Sequence, residues 1–256
     1  MKKIFLLLSA SLFSISSAFS QDQENPKKEW GFKVEPYLMA PYMKGTVAIG
    51  KIPQAEIDAN AGEVFDRLRS AFMLYGEANN GKWAITGDFV YMKLQETIEP
   101  NGQINSGEIN FDETIFAMEG LYRILPWLEL GIGGRVVTIG GDMTVSRTEL
   151  GSNGETNVQQ AEKTESWFDP TVLFRMQVPN SGKWIGELKA DIGGFGIGSN
   201  ETYQIQVYGG YRFSKLFQAT AGYRALSIDY ESGTTVDRFN YDVKTTGPVV
   251  RLGFNF

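Results

Sequence analysis

The sequence ends with Val250-Arg251-Leu252-Gly253-Phe254-Asn255-Phe256, which is its most informative stretch. Successive side chains of a β-strand point to opposite faces, so each face takes every second residue. One face of this strand is apolar and carries Val250, Leu252, Phe254 and Phe256. Soluble domains seldom end on a bare aromatic residue, because chain ends fray unless neighbouring structure holds them. The pattern therefore predicts a terminal strand that is held in a sheet.

This ending resembles the last strand of bacterial outer-membrane β-barrels, which closes the barrel and finishes in phenylalanine. The resemblance implies that Val250, Leu252, Phe254 and Phe256 face lipid and that Arg251 faces the lumen. It also implies two partners, which are outer-membrane lipid and the barrel-assembly machinery that engages a C-terminal strand.

The start of the chain has the three parts of a secretory signal peptide. Lys2 and Lys3 form the charged part, an apolar stretch follows, and Ala18-Phe19-Ser20 is a small-x-small cleavage site. The apolar stretch is too short for a membrane anchor, which needs roughly 20 residues. We expect a cleaved signal peptide at 1–20, a flexible polar lead at 21–29 and one barrel domain at 30–256.

Composition excludes several classes of function. The net charge of −6 argues against nucleic acid, whose phosphates require a basic surface. The chain has no histidine and no cysteine, so it lacks an imidazole base and the favoured zinc ligands. Outer-membrane barrel enzymes such as proteases, phospholipases and lipid A-modifying enzymes rely on a histidine. We expect no enzyme activity, no metal and no cofactor.

About ten strands are indicated by alternating side chains between turn signals. We expect them at 30–40, 70–79, 82–95, 109–123, 127–142, 164–178, 183–195, 201–213, 216–231 and 240–256. Tight connections alternate with mostly longer polar ones at 41–69, 96–108, 143–163, 196–200 and 232–239. This alternation is typical of periplasmic turns and external loops. The sequence predicts an all-β fold, a transmembrane antiparallel up-and-down barrel with both termini at the periplasmic end.

Aromatic residues stand where strands begin after the lead or a tight turn. They are Trp30, Trp83, Trp127, Trp184 and Phe217. Tryptophan and tyrosine favour the membrane interface, where the ring is half in hydrocarbon and half in water. We expect these residues to form an interface girdle, although aromatic residues in a soluble core are the alternative.

Charged residues fall on one face of the strands, and that face must be the lumen of a membrane barrel. A charge that faces lipid at mid-depth costs roughly 2–4 kcal/mol. The acidic lumen residues are Glu35, Glu77, Asp88, Glu113, Glu119, Glu129, Asp169, Glu187 and Asp191. The basic ones are Lys33, Arg123, Arg135, Arg175, Lys189, Arg212, Arg224 and Arg251. We expect a network of paired ions and little open space.

Two local features complete the prediction. In the first long loop, Asp58 or Asn60 caps a short helix at 60–68 that covers the mouth, folds into it or rests on lipid. Near Ala225 and Leu226 the alternation breaks, which indicates a bulge or the exit from the membrane.

Several segments together resemble a poorly characterised, porin-like family of Gram-negative outer-membrane β-barrel proteins. They are Val34-Glu35-Pro36-Tyr37-Leu38, Asp191-Ile192-Gly193-Gly194-Phe195-Gly196, Gly222-Tyr223-Arg224 and Gly247-Pro248. The resemblance implies the fold and the outer-membrane location but no activity. The helix segment Asn60-Ala61-Gly62-Glu63-Val64-Phe65 departs from the family's pattern.

Three functions stay open at this point. The first is a structural or narrow porin-like barrel that passes or binds small solutes. The second is a surface receptor or adhesin that acts through its external loops. The last is an enzyme without histidine, for which carboxylates such as Glu187 and Asp191 are the available acid–base groups.

Overall fold

The computed structural model describes residues 29–49, 54–98, 104–148, 156–179, 182–234 and 237–256. The predicted signal peptide at 1–20 and residues 21–28 of the predicted lead lie outside the described residues. Residues 50–53, 99–103, 149–155, 180–181 and 235–236 also lie outside them.

Twelve strands and one helix make up the described fold. The strands are β1 (Gly31–Met39), β2 (Tyr42–Ile49), β3 (Ala55–Ala59), β4 (Leu68–Asn79), β5 (Trp83–Ile98), β6 (Ile104–Leu125), β7 (Leu128–Thr148), β8 (Thr156–Gln177), β9 (Trp184–Gly193), β10 (Glu201–Arg212), β11 (Phe217–Ser232) and β12 (Phe239–Asn255). The helix α1 covers Ala61–Arg67. Among the described residues, no helix is long and apolar enough to cross a membrane.

Ten of these strands close into one antiparallel barrel. Neighbours along the chain pair from β4 to β12, β1 pairs with β4, and β12 returns to pair with β1. The seam places Val34 opposite Phe254 and Leu38 opposite Val250. β2 continues the line of β1 along β12 after an interruption at Ala40 and Pro41, and β3 pairs with β2. The predicted ten-stranded barrel is confirmed.

The two ends of the barrel differ. One end, which we name the turn end, carries both ends of the barrel domain and the tight connections at 80–82, 126–127 and 213–216. The other, which we name the hairpin end, carries α1 and the connections at 99–103 and 149–155. Both ends of the barrel domain share the turn end because the number of barrel strands is even.

The hairpin end is more extensively stranded than the sequence predicts. β6 and β8 have 22 residues each and β7 has 21, so most of the predicted loops 96–108 and 143–163 are strand. These extensions lack a continuous apolar face, and pairing with the neighbouring strand holds them together. Their polar sequence therefore gives no periodic signal.

The barrel wall is shorter between β8 and β11, because the two strands there have only 10 residues (β9) and 12 residues (β10). The turn at 194–200 that joins β9 to β10 is tied to both sides. Ser199 donates its backbone N–H to the Asp169 carboxylate at 2.6 Å, and Asn200 donates its N–H to the Asp229 carbonyl at 2.8 Å. Above this turn, Trp167 and Tyr230 stack with ring centroids 3.8 Å apart. The stacked pair joins β8 to β11 where no strand lies between them.

The first long connection contains a hairpin of β2 and β3 and the predicted helix, which ends at Arg67. Asn60 caps α1: its side chain accepts a hydrogen bond from the Glu63 backbone, and Glu63 accepts one from the Asn60 backbone. Val64 is the buried residue of this helix and Phe65 is exposed, so the helix buries one apolar side chain. Since Val64 belongs to the apolar cluster inside the barrel, α1 lies over the mouth at the hairpin end.

Candidate functional site

The barrel lumen is the candidate site, and its half toward the turn end is ionic. Ten charged side chains of the predicted network are buried there: Glu35, Glu77, Asp88, Glu119, Arg135, Asp169, Arg175, Asp191, Arg224 and Arg251. Arg212 is half-buried and lines a polar vestibule of about 380 Å³ at the turn end, together with Lys33, Arg123 and Glu187. Strand alternation places these side chains inward, because they occupy every second position of their strands.

Arg175 joins three strands. It contacts Glu129 at 2.6 Å on the adjacent β7 and Glu77 at 2.7 Å on β4, across the lumen. It also donates to the Tyr75 hydroxyl at 3.2 Å. The guanidinium suits this position because its fork of N–H groups can serve several acceptors at once.

Arg251 lies at the seam in a cage of aromatic rings. Its guanidinium carbon is 3.9 Å from the ring centroid of Tyr208, 4.9 Å from that of Tyr75 and 5.2 Å from that of Tyr37. It donates to the Tyr208 hydroxyl at 2.8 Å and lies 3.6 Å from the Glu35 carboxylate. Ring faces attract a cation, so the three tyrosines supplement a single long ion pair.

Three further pairs cross the lumen between strands that are not neighbours. Arg135 contacts Asp191 at 2.6 Å, Arg224 contacts Asp88 at 3.0 Å, and Lys189 contacts Glu119. Asp169 lies opposite Arg135 in register, but its carboxylate accepts hydrogen bonds from Ser199 N–H and the Trp167 indole N–H. It therefore fastens the β9–β10 turn.

The half of the lumen toward the hairpin end is apolar, which the sequence-based prediction misses. Inward positions change there from charged to apolar side chains, for instance from Asp88 to Val90 and Met92 on β5. The buried apolar cluster has twenty members, of which Tyr37, Tyr75 and Tyr208 surround Arg251 and the others form this layer, including Met39, Met43, Val64, Met73, Met92, Ile115, Val137, Ile139, Trp167, Leu226, Ile228 and Tyr241. We name these other members the apolar layer.

The expected bulge near Ala225 and Leu226 is wrong. β11 pairs with β10 and β12 in an unbroken register through these residues. Leu226 and Ile228 point inward, as Arg224 does, and they belong to the apolar layer. The change from charged to apolar inward residues is therefore the signal that could have revealed this layer. The outward residues beyond Ala225 are polar, in keeping with the other expectation, an exit from the membrane.

Glu113 is the acidic side chain of the apolar layer. It is 4% exposed and its carboxylate accepts a hydrogen bond from the Tyr241 hydroxyl at 3.1 Å. It lines a small cavity of about 30 Å³ with Met39, Met73 and Met92, and Arg224 closes the floor. Among the described residues, no group of His, Cys, Asp or Glu side chains is arranged to hold a metal ion.

The outer surface carries the predicted aromatic and terminal-strand residues. Trp83, Trp127 and Trp184 are exposed at the turn end, and Trp30, which precedes β1, is also exposed. Phe217 is half-buried between Phe213 and Phe254, with ring centroids 5.6 and 5.7 Å away. Val250, Leu252 and Phe254 of the closing strand are exposed, as is Phe256, which follows it. A continuous band of apolar side chains thus surrounds the ionic half of the lumen.

Comparisons with solved structures show the fold. The outer-membrane protease OmpT from Escherichia coli is similar with a TM-score of 0.52 and 10% identity, over 92% of this chain and 99% of that one. Lower similarity is found to Ail of Yersinia pestis, with a TM-score of 0.36 and 12% identity over 90% of this chain and 99% of that one. The P. putida toluene transporter TodX is similar with a TM-score of 0.37 and 9% identity, over 89% of this chain and 90% of that one.

No family model matches this sequence, and no match is found among curated proteins. At 10% identity the likeness to OmpT concerns the fold alone. The protein has the fold of Gram-negative outer-membrane β-barrels.

Proposed function

We propose that the protein is an integral outer-membrane barrel without enzyme activity, structural or narrow and porin-like, with a lumen that is filled along most of its length. The proposal includes residues 1–20 as a cleaved signal peptide and 21–29 as a lead. It also includes β12 as the strand that the barrel-assembly machinery engages.

The outer surface supports the membrane location. On β8 and the residue after it, the outward residues from Phe168 to Val178 are mainly apolar, whereas those before Phe168, such as Ser166 and Thr164, are mainly polar. An apolar band of about ten residues on tilted strands matches the roughly 25 Å band of outer-membrane barrels. Outer-membrane barrels have short periplasmic turns and longer external loops, so the turn end is periplasmic and the hairpin end is external.

The filling of the lumen is the observation that carries the proposal. Barrels of about eight strands have room for side chains alone, whereas 16 or more strands leave an aqueous channel. Here ion pairs cross the periplasmic half and the apolar layer fills the external half. A dry apolar layer opposes ions, because an ion that leaves water without a partner loses its hydration free energy.

Planar-bilayer recording tests this function. The purified protein should insert without steady openings, because ions meet the apolar layer on any path along the lumen. A bilayer that holds an open sixteen-stranded porin serves as the positive control. Large, steady, ohmic currents from the present protein would show that its lumen is open and would contradict the proposal.

A surface receptor or adhesin is the second candidate, and the long β6–β7–β8 extensions favour it. They project roughly ten residues beyond the apolar band, far more than a membrane strand of 9–11 residues requires. Binding sites commonly occupy such projections on a rigid scaffold.

Removal of residues 146–158 separates the two functions. Val145 and Gln159 are register partners, so a two-residue turn can join them without a shift of the pairing. If the hairpin binds a surface, cells that display the shortened protein should lose adhesion to host-cell layers. The unboiled barrel should keep its altered mobility in detergent gels as the folding control. Equal adhesion of both proteins would exclude this hairpin as the adhesive element.

An enzyme is the third candidate. OmpT is named a protease, but the likeness is of fold alone, and the present chain has no histidine to serve as an imidazole base.

A further inference from the structure

Glu113 differs from the other acidic side chains of the lumen in its surroundings. The predicted lumen set has nine acids against eight bases. Glu35, Glu77, Asp88, Glu119, Glu129 and Asp191 each lie within 4.0 Å of a Lys or Arg nitrogen. Asp169 accepts two N–H groups, and Glu187 faces the open vestibule beside Gln177. For Glu113, no lysine or arginine nitrogen of the described residues lies within 4.0 Å.

The neighbours of Glu113 leave its charge without a dedicated partner. Arg224 lines the same cavity, but its guanidinium contacts the Asp88 carboxylate at 3.0 Å and the Tyr37 hydroxyl at 2.8 Å. Arg224 is therefore the cation nearest to two carboxyl groups at this depth, and it contacts only that of Asp88. A buried carboxylate without a cation is costly, so it either takes up a proton or binds a cation.

We infer that the cavity beside Glu113 is a binding site for a small organic cation, an ammonium group attached to an apolar body. The ammonium group binds the Glu113 carboxylate next to the Tyr241 hydroxyl, and the apolar body packs among the methionines. The ligand supplies the positive charge that the lumen lacks at this level.

The lining selects against other ligand classes. An anion is disfavoured, because it would lie near the acidic side chains Glu113 and Asp88. The guanidinium of Arg224 is already paired with Asp88. A hydrated metal ion needs several oxygen ligands, and the cavity offers mainly Met, Val, Ile and Leu side chains. Tyr241 donates its hydroxyl to Glu113, and its ring centroid lies 6.3 Å from that of Trp167, so aromatic faces, which attract organic cations, lie beside the carboxylate.

The size of the cavity and the nature of its walls are compatible with such a ligand. The empty volume of about 30 Å³ matches an ammonium head group rather than a whole molecule. The walls that must move are Met39, Met73 and Met92, and methionine has three rotatable bonds and adapts to irregular shapes. α1 buries Val64 and is tied to β5 by one partly exposed ion pair, between Arg67 and Glu96, so it presents a small barrier to entry.

Binding of benzylammonium, compared with benzyl alcohol, tests this inference. The two probes have the same ring and differ in the charged group. Calorimetry on the refolded full-length barrel should give saturable binding of benzylammonium, at least about tenfold tighter than that of benzyl alcohol. A variant that keeps only Trp167, with Trp30, Trp83, Trp127 and Trp184 replaced by Phe, should report the same binding by fluorescence.

Three variants locate the site. Glu113→Gln keeps the shape, removes the charge and should abolish the preference for benzylammonium. Glu108→Gln makes the same change at an exposed position of the same strand and should bind like the wild type. Met92→Phe should fill the cavity and weaken the binding of both probes. Its heat-modifiable gel mobility would show that it is folded. Equal affinity for the two probes, no saturable benzylammonium binding, or unchanged binding by Glu113→Gln would overturn the inference.

Discussion

Arg175 reaches carboxylates that are 46 and 98 residues away in sequence, and this separation shows what single residues do in the lumen. Its partners belong to the adjacent β7 and to β4 across the barrel. Each such residue connects walls that backbone hydrogen bonds do not connect directly. The lumen side chains thus brace the barrel from inside.

At the residue scale, Arg175→Gln should lower the free energy of unfolding by about 3–5 kcal/mol, because Glu77 and Glu129 lose their shared buried partner. Arg123→Gln is the matched control. Arg123 also contacts Glu129, at 2.7 Å, but its side chain is 31% exposed, so the loss should be at most about 1 kcal/mol. Urea unfolding in lipid vesicles, followed by tryptophan fluorescence, measures both. Equal losses would show that burial does not set the strength of these pairs.

At the scale of the elements, α1 is weakly anchored at the mouth of the hairpin end. It has seven residues and one buried side chain, and a short helix depends on its caps and on packing. The capping box at Asn60 and Glu63 therefore contributes much of its stability.

For this element, Asn60→Ala should destabilise α1 by about 1 kcal/mol and speed amide exchange of α1 about fivefold, because the Glu63 N–H loses its acceptor. Hydrogen exchange followed by mass spectrometry measures the rate. Asp66→Ala changes an exposed side chain of the same helix and should not speed exchange. If both variants exchange at the wild-type rate, the cap does not limit the opening of α1.

For the whole molecule, the sequence predicts the barrel well because two independent signals agree. Alternation along the strands identifies inward residues such as Arg135 and Asp191, and connection length separates the two ends. Both signals are local, so they need no knowledge of which strands meet.

The sequence does not predict the apolar layer or the partner of each charge. Leu226 looks like a break in the pattern because an inward apolar residue on a membrane strand resembles an outward one. The contacts of Arg175 with Glu77 and of Arg251 with Tyr75 cross the lumen. They depend on strand tilt and barrel diameter, which are properties of the closed barrel and not of any one strand.

The aromatic cage around Arg251 forms only when β12 pairs with β1 in the correct register. A slip of β12 by two residues keeps Val250, Leu252 and Phe254 outward, so the apolar face alone accepts it. The same slip moves Arg251 by about 7 Å along the strand and removes it from Tyr37, Tyr75 and Tyr208. Glu35 near the start of the chain and Arg251 near its end then fail to meet. β12 therefore carries the residue that distinguishes a correctly closed barrel from a misaligned one.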